Sequence, residues 1–243
     1  MRTVFTLVAF GVAALVAPAM AHAEKCGFER ATIVGTSGAD RIVGTPGSDV
    51  IVAGDGRDTI LGKGGLDFIC AGAGADNVWT GNGPDLIFAG AGDDVVHARG
   101  ESDFIRGGRG DDLLYAGPDN PPDFEAVDQV AGGRGRDTIY GGPGVDFIND
   151  GPGSDRVFGG TGRDLIGVKH GWPGDDVISM GRGNDFAKDG AGDDRIFGGL
   201  GDDDLEGGFG NDALDGGNGT DFLDGGNGSD VCKRGETVVN CEA

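Results

Sequence analysis

The sequence is poor in the residues that usually build a hydrophobic core. Only 7% of its 243 residues are aromatic, and 41 Asp and Glu against 19 Lys and Arg give a net charge of −22. Such a chain is normally disordered, because it buries little apolar surface and its charges repel one another. Too few cations also argue against nucleic-acid binding, which needs them to neutralise phosphates. Either the chain is disordered or counter-cations belong to its fold.

Long apolar runs are absent after residue 23, so the sequence predicts no transmembrane helix. The one apolar stretch, VFTLVAFGVAALVA, follows Arg2 and precedes the cleavage signal Ala21-His22-Ala23. A positive start, a short apolar stretch and an A-x-A site are typical of a secretory signal peptide. We therefore predict that residues 1–23 are a signal peptide and that the protein is secreted. Removing Arg2 with this peptide changes the net charge from −22 to −23.

Cysteine and histidine are too scattered to form a transition-metal site. The four cysteines are Cys26, Cys70, Cys232 and Cys241. They lack the C-x2-C spacing of zinc sites, and His97 and His170 are isolated. In an oxidising compartment the cysteines form disulfides, for which three pairings are possible. No Ser/His/Asp grouping and no H-E-x-x-H motif are present, so we predict that the chain is not an enzyme.

Aspartate is abundant and recurs every nine residues. The series is Asp40, Asp49, Asp58, Asp67, Asp76, Asp85, Asp94, Asp103, Asp112, Asp137, Asp146, Asp155, Asp164, Asp176, Asp185, Asp194, Asp203, Asp212, Asp221 and Asp230. Glycine lies two positions earlier in every unit except one, which has Glu101. Ile, Val or Leu lies two positions later except at Ala187 and Cys232. A Pro-rich insert at 116–131 and a slip at 168–170 interrupt the period.

The unit G-G-x-G-x-D-x-U-x, with U a large aliphatic residue, predicts a short strand after a glycine-rich turn. Alternation along the strand points U to one face, and glycine supplies the positive φ angles of the turn. One aliphatic residue in nine forms a core only when units stack. Two units per coil predict an all-β, right-handed parallel β-roll over residues 35–233. Its twenty units make ten coils, about 48 Å long at about 4.8 Å per strand.

These repeats resemble the RTX, or haemolysin-type, calcium-binding family, and the resemblance covers Gly35 to Lys233. It implies a parallel β-roll that binds Ca²⁺ between stacked turns, with all twenty aspartates of the series as candidate ligands. Many members of the family leave bacteria through an uncleaved C-terminal signal, whereas an N-terminal signal peptide is predicted for this chain. Similar cysteine placements at both ends of exported repeat proteins favour pairing Cys232 with Cys241 and Cys26 with Cys70. Such pairs would tie down an N-terminal cap (24–34) and a C-terminal cap (234–243), the latter folded over the open core.

Elementary chemistry also favours several calcium ions. Stacking brings Asp203 close to Asp221, and two such carboxylates repel unless a proton or a cation lies between them. Ca²⁺ takes six to eight hard oxygen ligands, whereas Mg²⁺ prefers a smaller octahedral shell. About 18 gaps would separate the stacked turns, and about a dozen ions would already neutralise the chain. We expect the weakest sites beside Glu101 and the interruptions, the tightest in 176–230, and disorder without calcium.

An apolar strip is predicted on one outer face. Alternate units of the first block point Val50, Val52, Phe68, Cys70, Leu86, Phe88 and Phe104 outward, and the other units place Arg41, Thr59, Asn77 and His97 there. The insert, through Phe124 and Val127, and the N-terminal cap would cover the strip, or it would contact a cell surface or a second copy. The predicted function is a secreted calcium-binding β-roll with a structural, surface or adhesion role. The alternative is a toxin-like or polysaccharide-acting enzyme, or an accessory module.

Overall fold

The chain coils into a flattened solenoid with a short strand on each side of every coil. The structure is a computed structural model and describes residues 25–27, 29–117, 127–167 and 172–242. Over these ranges the regular structure is entirely β, and no helix is long and apolar enough to cross a membrane. Strands of one side form an 11-stranded parallel sheet and those of the other a 12-stranded parallel sheet. The predicted parallel β-roll is confirmed.

The strands are short because the glycine-rich first part of each repeat forms a turn and leaves only its last residues for a strand. A small antiparallel hairpin opens the described chain, with β1 (Lys25–Cys26) and β2 (Glu29–Arg30). The 12-stranded sheet contains β3 (Ile33–Val34), β5 (Val50–Asp55), β7 (Phe68–Ala73), β9 (Leu86–Ala91), β11 (Phe104–Arg109), β13 (Gln129–Arg134), β15 (Phe147–Asn149), β17 (Leu165–Ile166), β19 (Phe186–Lys188), β21 (Asp204–Phe209), β23 (Phe222–Asn227) and β25 (Thr237–Val239). The 11-stranded sheet contains β4 (Arg41–Val43), β6 (Thr59–Gly64), β8 (Asn77–Asn82), β10 (Val95–His97), β12 (Leu113–Tyr115), β14 (Thr138–Gly144), β16 (Arg156–Gly162), β18 (Val177–Arg182), β20 (Arg195–Leu200), β22 (Ala213–Asn218) and β24 (Val231–Lys233).

The core is a double row of aliphatic side chains between the two sheets. In β6 and β8, Ile60 lies beside Val78, 18 residues later, so one coil contains two repeats. Each strand buries its central residue and leaves its neighbours half exposed, as the alternation predicts. Ile60 and Ile69 are fully buried, as is Ala187 at the position where most units have a larger aliphatic residue. The repeat therefore supplies one continuous core instead of many small ones.

The roll has three more strands than the twenty predicted units: β3, β13 and β25. Strand β13 follows Asp128, whose Oδ1 accepts a hydrogen bond from the N–H of Asp103, and it buries Val130. The predicted insert 116–131 thus ends earlier than expected, because the aspartate and strand of a further unit, Asp128 and β13, lie nine residues before Asp137 and β14. Seven extra residues separate Asp103 from Asp128, so this unit is out of phase with the repeats before the insert and in phase with those after it. Residues 118–126, including Phe124, lie outside the described residues.

The predicted slip at 168–170 also lies outside the described residues, but its effect on register is visible on both sides. The N–H of Asp155 donates to Oδ1 of Asp176, 21 residues later, where other coils have 18. The flanking strands β16 and β18 nevertheless pair in the normal register, with Val157 beside Ile178. The three added residues therefore leave the register of the sheet unchanged.

The C-terminal segment, predicted to fold over the open core as a cap, adds one strand to the end of the 12-stranded sheet. Strand β25 pairs in parallel with β23. The N–H of Asp221 donates to Oε2 of Glu236 at 2.6 Å, so Glu236 takes the place that the next coil's aspartate would have. The predicted disulfide between Cys232 and Cys241 is present. A longer acidic side chain thus replaces an aspartate where the nine-residue spacing ends.

The N-terminal hairpin covers the first part of the predicted apolar strip. The disulfide between Cys26 and Cys70 holds β1 against β5 and β7, with Cys26 fully buried and Val52 only 6% exposed. The other apolar residues of the strip, from Val50 to Phe104, are half-buried. Val127 belongs to the turn before β13, where its N–H donates to Oγ of Ser102, so it lies at the edge of the roll and not over the strip. Phe28 lies outside the described residues.

A ladder of stacked rings crosses the outer face of the 11-stranded sheet, which the sequence led us to expect to be polar. The ladder consists of Trp79, His97, Tyr115, Tyr140 and Phe158. Successive ring centroids lie 4.6–5.6 Å apart with planes within 11° of parallel. The insert separates Tyr115 from Tyr140 by 25 residues, so the ladder does not follow one spacing in the sequence.

Candidate calcium sites

Each candidate ligand is the last residue of a turn, immediately before a strand. In most turns the glycine two positions earlier has a positive φ, for example +137° at Gly210 before Asp212, and this turns the aspartate side chain inward. All aspartates of the predicted series from Asp49 to Asp230 are at most 6% exposed, and Asp40 is half-buried. The structure therefore places them in two rows, one along each edge of the roll. Asp128, which the series missed, belongs to one of these rows.

In most turns, one oxygen of the aspartate carboxylate links neighbouring coils. The N–H of Asp58 donates to Oδ1 of Asp76 at 2.8 Å, and the N–H of Asp203 donates to Oδ1 of Asp221 at 3.0 Å. This link recurs along both edges with N···O distances of 2.7–3.1 Å. The carbonyl of Asp58 in turn accepts from the N–H of Asn77 in the next coil. The aspartates thus fix the vertical spacing of the turns.

The second oxygen is buried, and in most turns no protein donor reaches it. Among the described residues this applies to Oδ2 of Asp58, Asp67, Asp76, Asp94, Asp112, Asp137, Asp155, Asp164, Asp185, Asp194, Asp203, Asp212, Asp221 and Asp230. A buried carboxylate oxygen is costly unless it is hydrogen-bonded, protonated or bound to a cation. The same atom recurring in turn after turn indicates one common partner that is not part of the chain.

Glycine keeps the space beside these oxygens open. A Cβ placed on Gly207 would lie 2.6 Å from Oδ2 of Asp212 and 2.7 Å from the carbonyl oxygen of Gly225 in the next coil. Carboxylate and carbonyl oxygens from two coils therefore face the same small volume. Hard oxygen donors of these two kinds are what Ca²⁺ prefers, while softer metals prefer nitrogen or sulfur. The residues present fit calcium, with the turn aspartate as the charged ligand and the glycine carbonyls as neutral ones.

The first two turns differ from the others because threonine replaces the second glycine. The N–H of Thr36 donates to Oδ2 of Asp40 and the N–H of Thr45 to Oδ2 of Asp49, each at 2.6 Å. The two threonine hydroxyls lie 2.9 and 3.0 Å from the same oxygens. These two aspartates have the partners within the chain that Asp212 lacks. The structure therefore sets this satisfied pair apart from the fourteen aspartates named above, whose Oδ2 atoms lack a protein donor.

Burial raises the pKa values of the turn carboxyls when no cation is present. The pKa of Asp94 is raised to about 7 and that of Asp112 to about 8, mainly because burial removes the carboxyls from water and partly because neighbouring aspartates repel the charged form. Hydrogen bonds from the backbone N–H of the preceding coil act in the opposite direction. A divalent cation between the turns would remove both the desolvation cost and the repulsion, since it compensates charge on each side.

Comparison with known families agrees with this geometry. A family model described as RTX calcium-binding nonapeptide repeat (4 copies) matches residues 34–69, 71–103, 97–120, 125–149, 131–166, 170–187, 181–214 and 201–232. The chain belongs to this family. None of the curated proteins matches it. The matches cover most of residues 34–232 of this RTX repeat protein, and the match at 125–149 includes Asp128.

Three acidic residues that sequence reasoning missed also line the turns or the interior. The repeat at Asp128 was detectable, since it lies nine residues before Asp137. Asp150 and Asp189 lie at the position of the first glycine of the repeat and point into the roll, where they are 5% and 9% exposed. Their only signal in the sequence is the loss of that glycine.

Proposed function

We propose that the chain is an exported protein that folds into its β-roll when several Ca²⁺ ions bind between the turns. The row of buried Oδ2 atoms that lack a protein donor carries this proposal. Without a cation, folding would bury more than a dozen carboxylates against one another. A ligand that binds only the folded chain adds its binding free energy to folding. The calcium-free chain is therefore disordered, and the calcium-bound chain is rich in β-structure.

The ion occupancy of a turn depends on how closely the turn follows the repeat pattern. Among the edge sites, those of the regular turns over residues 176–230 bind most tightly, while the turn with Glu101 and those beside the interruptions bind weakly. The turns at Asp40 and Asp49 need no ion, because Thr36 and Thr45 already satisfy the carboxylates. About a dozen divalent ions would neutralise the acidic chain, so partial occupancy is expected.

Calcium removal tests the proposal directly. Circular dichroism of the purified chain in EDTA is expected to show disorder, and millimolar CaCl₂ to restore the β spectrum. Titration calorimetry is expected to count many ions per chain, with MgCl₂ substituting poorly because Mg²⁺ retains its water. Identical spectra with and without calcium, or a count of one or two ions, would contradict the proposal.

A matched pair of variants separates ion binding from general charge effects. Both variants remove one negative charge. Asp212→Asn changes a carboxylate whose Oδ2 has no protein donor, whereas Asp49→Asn changes one whose Oδ2 accepts a hydrogen bond from Thr45. We expect Asp212→Asn to lose one bound ion and to raise the calcium concentration needed for folding. Asp49→Asn is expected to keep the native ion count. Equal loss in both variants would show that the count follows net charge and not the turn geometry.

Export is the second part of the proposal. Both disulfides, Cys26–Cys70 and Cys232–Cys241, suit an oxidising compartment, and the signal peptide predicted for residues 1–23 would deliver the chain there. N-terminal sequencing of the protein from culture medium is expected to begin at Glu24. Recovery of the intact chain from the cytosol would argue against secretion.

A structural, surface or adhesion role suits a chain made of repeats. The apolar strip from Val50 to Phe104 offers a contact face for a cell surface or a second copy, and no catalytic role is expected. Pull-down from the cell surface is expected to succeed with calcium and to fail with EDTA. Light scattering in calcium separates cover within the chain, which gives a monomer, from self-association, which gives a dimer.

A further inference from the structure

Two acidic side chains point into the roll where other coils have small residues. The inward position two residues beyond each core aliphatic is Gly or Ala in most coils, as at Ala71, Gly107 and Gly207. Asp150 follows β15 and Asp189 follows β19, and they are 5% and 9% exposed. An acid is among the least favourable residues for such a place unless something compensates its charge. These two positions therefore require a separate explanation.

The two interior acids meet the turn aspartate of the coil between them. Carboxylate oxygens of Asp150, Asp176 and Asp189 all lie within 4.8 Å of one another. Each carboxylate also uses one oxygen to accept a backbone N–H: Asp150 from Gly151 at 2.8 Å and Asp189 from Gly190 at 2.8 Å. Oδ1 of Asp176 accepts from the N–H of Asp155 at 2.7 Å. The three side chains are thus held in place by the backbone.

The remaining oxygens of the interior acids are buried without a donor from the described protein. Oδ2 of Asp150 and Oδ2 of Asp189 both have this character. Asp150 is the deeper of the two, and one of its carboxylate oxygens belongs to the cluster of three carboxylates. Besides its acidity, the site therefore has a second property that indicates a ligand. It contains buried oxygen acceptors that are held in place and receive no hydrogen bond.

A shared proton is the alternative to a cation. When no cation is present, burial raises the pKa of Asp189 to about 9, with further contributions from Asp194, Asp150 and Asp176. Asp176 and Asp189 are close enough to share a hydrogen bond in their half-protonated form. One proton, however, satisfies only one pair of oxygens, whereas a divalent cation has room for three carboxylates at once.

We propose that Asp150, Asp176 and Asp189 bind one further calcium ion, or a lanthanide in its place, inside the roll. This site differs from the regular edge sites, because two of its three carboxylates lie at positions that the repeat reserves for glycine. Three carboxylates around one ion also predict a higher affinity than a regular turn, since affinity rises with the number of charged ligands. The proposal rests on the proposed calcium-dependent folding, because only the folded roll brings these acids together.

The test compares two double variants with the same change in charge. Asp150→Asn with Asp189→Asn removes the interior acids, and Asp175→Asn with Asp193→Asn removes exposed acids from two turns of the same edge. Equilibrium dialysis against calcium with elemental analysis counts bound ions, and terbium luminescence reports the first ion to bind. The interior variant is expected to lose one ion per chain and the earliest terbium signal, while the exposed variant keeps both.

An unchanged ion count and an unchanged first terbium step in the interior variant would overturn the proposal and assign a shared proton to the cluster. If the interior double variant does not reach the native circular dichroism spectrum in calcium, the single variant Asp150→Asn decides. It is expected to weaken the first terbium step at least tenfold, and an unaltered step would again overturn the proposal. Failure of the proposed function is a different result, because the unmodified chain would then bind no ions and show no calcium-induced folding.

Discussion

At the scale of single residues, the turns depend on glycine because their backbone enters the region of positive φ. Lys63 is an exception: it occupies the place of the second glycine with a φ of +87°. Its side chain is exposed, so no core contact compensates the strain. An L-residue in this region is less stable than glycine by about 1 kcal/mol. The backbone at Lys63, near the end of β6, is therefore strained, and a single substitution removes this strain.

The first prediction concerns this strained turn. Lys63→Gly is expected to stabilise the calcium-bound protein by about 1 kcal/mol more than Lys63→Ala does, because both remove the charge and only glycine removes the strain. Urea unfolding in saturating calcium measures the difference. Equal free energies of unfolding for the two variants would show that the turn is unstrained.

At the scale of elements, coils are joined by side chains on both surfaces of each strand. Inside, the aliphatic row forms the core. Outside, the ring of Tyr115 stacks between His97 at 4.6 Å and Tyr140 at 4.8 Å, and so connects the coils on either side of the insert. Aromatic pairs contribute about 0.5–1.5 kcal/mol each beyond their buried area. The ladder strengthens the roll where the repeat is interrupted.

The second prediction follows from this arrangement. Tyr115→Leu removes two stacked contacts and is expected to lower the free energy of unfolding by about 1–3 kcal/mol. Tyr115→Phe keeps both ring contacts and is expected to be nearly neutral. The comparison is made by urea unfolding in calcium. A Phe variant as unstable as the Leu variant would assign the effect to the hydroxyl group and not to stacking.

At the scale of the whole molecule, burial of the continuous apolar core favours folding, and repulsion among the many buried carboxylates opposes it. Protons and calcium relieve the same repulsion at the same oxygens. The folded pKa values of Asp67 and Asp155, about 7 and about 8, lie above the ordinary value of 3.8, mainly because of burial. A carboxyl with a raised folded pKa binds protons more tightly in the folded chain, so it stabilises the calcium-free fold at low pH and loses that effect as pH rises.

The third prediction is a pH-dependent fold without metal. In EDTA, the chain is expected to gain β-structure as the pH falls from about 8 to about 4.5, because the raised pKa values let the folded carboxyls protonate first. Calcium affinity is expected to fall over the same range, since protons occupy the ligands. Circular dichroism with light scattering follows both, the latter to exclude aggregation. A chain that stays disordered in EDTA at the lower pH would contradict the prediction.

The sequence by itself determined the repeating part of this protein. A period of nine with an aliphatic residue two places after each aspartate was enough to derive parallel strands, two repeats per coil, a single core and rows of carboxylates along the edges, because each feature follows from alternation and glycine turns. The same spacing of glycine and aspartate, as at Gly207 and Asp212, recurs in every regular coil. In these coils the local sequence pattern predicts the same structure that the fold shows, so the nine-residue period was sufficient.

Only the tertiary structure decided what happens where the period fails. In the fold Asp128 bonds to Asp103 of the preceding coil, and Glu236 takes the place of an aspartate. Tyr115 stacks on Tyr140 across the insert, and Asp150 lies close to Asp189 across an intervening coil. The tertiary structure also separated satisfied from unsatisfied carboxylates, a difference that rests on hydrogen bonds and not on residue type. All of these have the same physical reason. Residues of neighbouring coils are in contact because the coils stack, and a few inserted residues change the sequence separation of two residues without changing their positions along the axis of the roll.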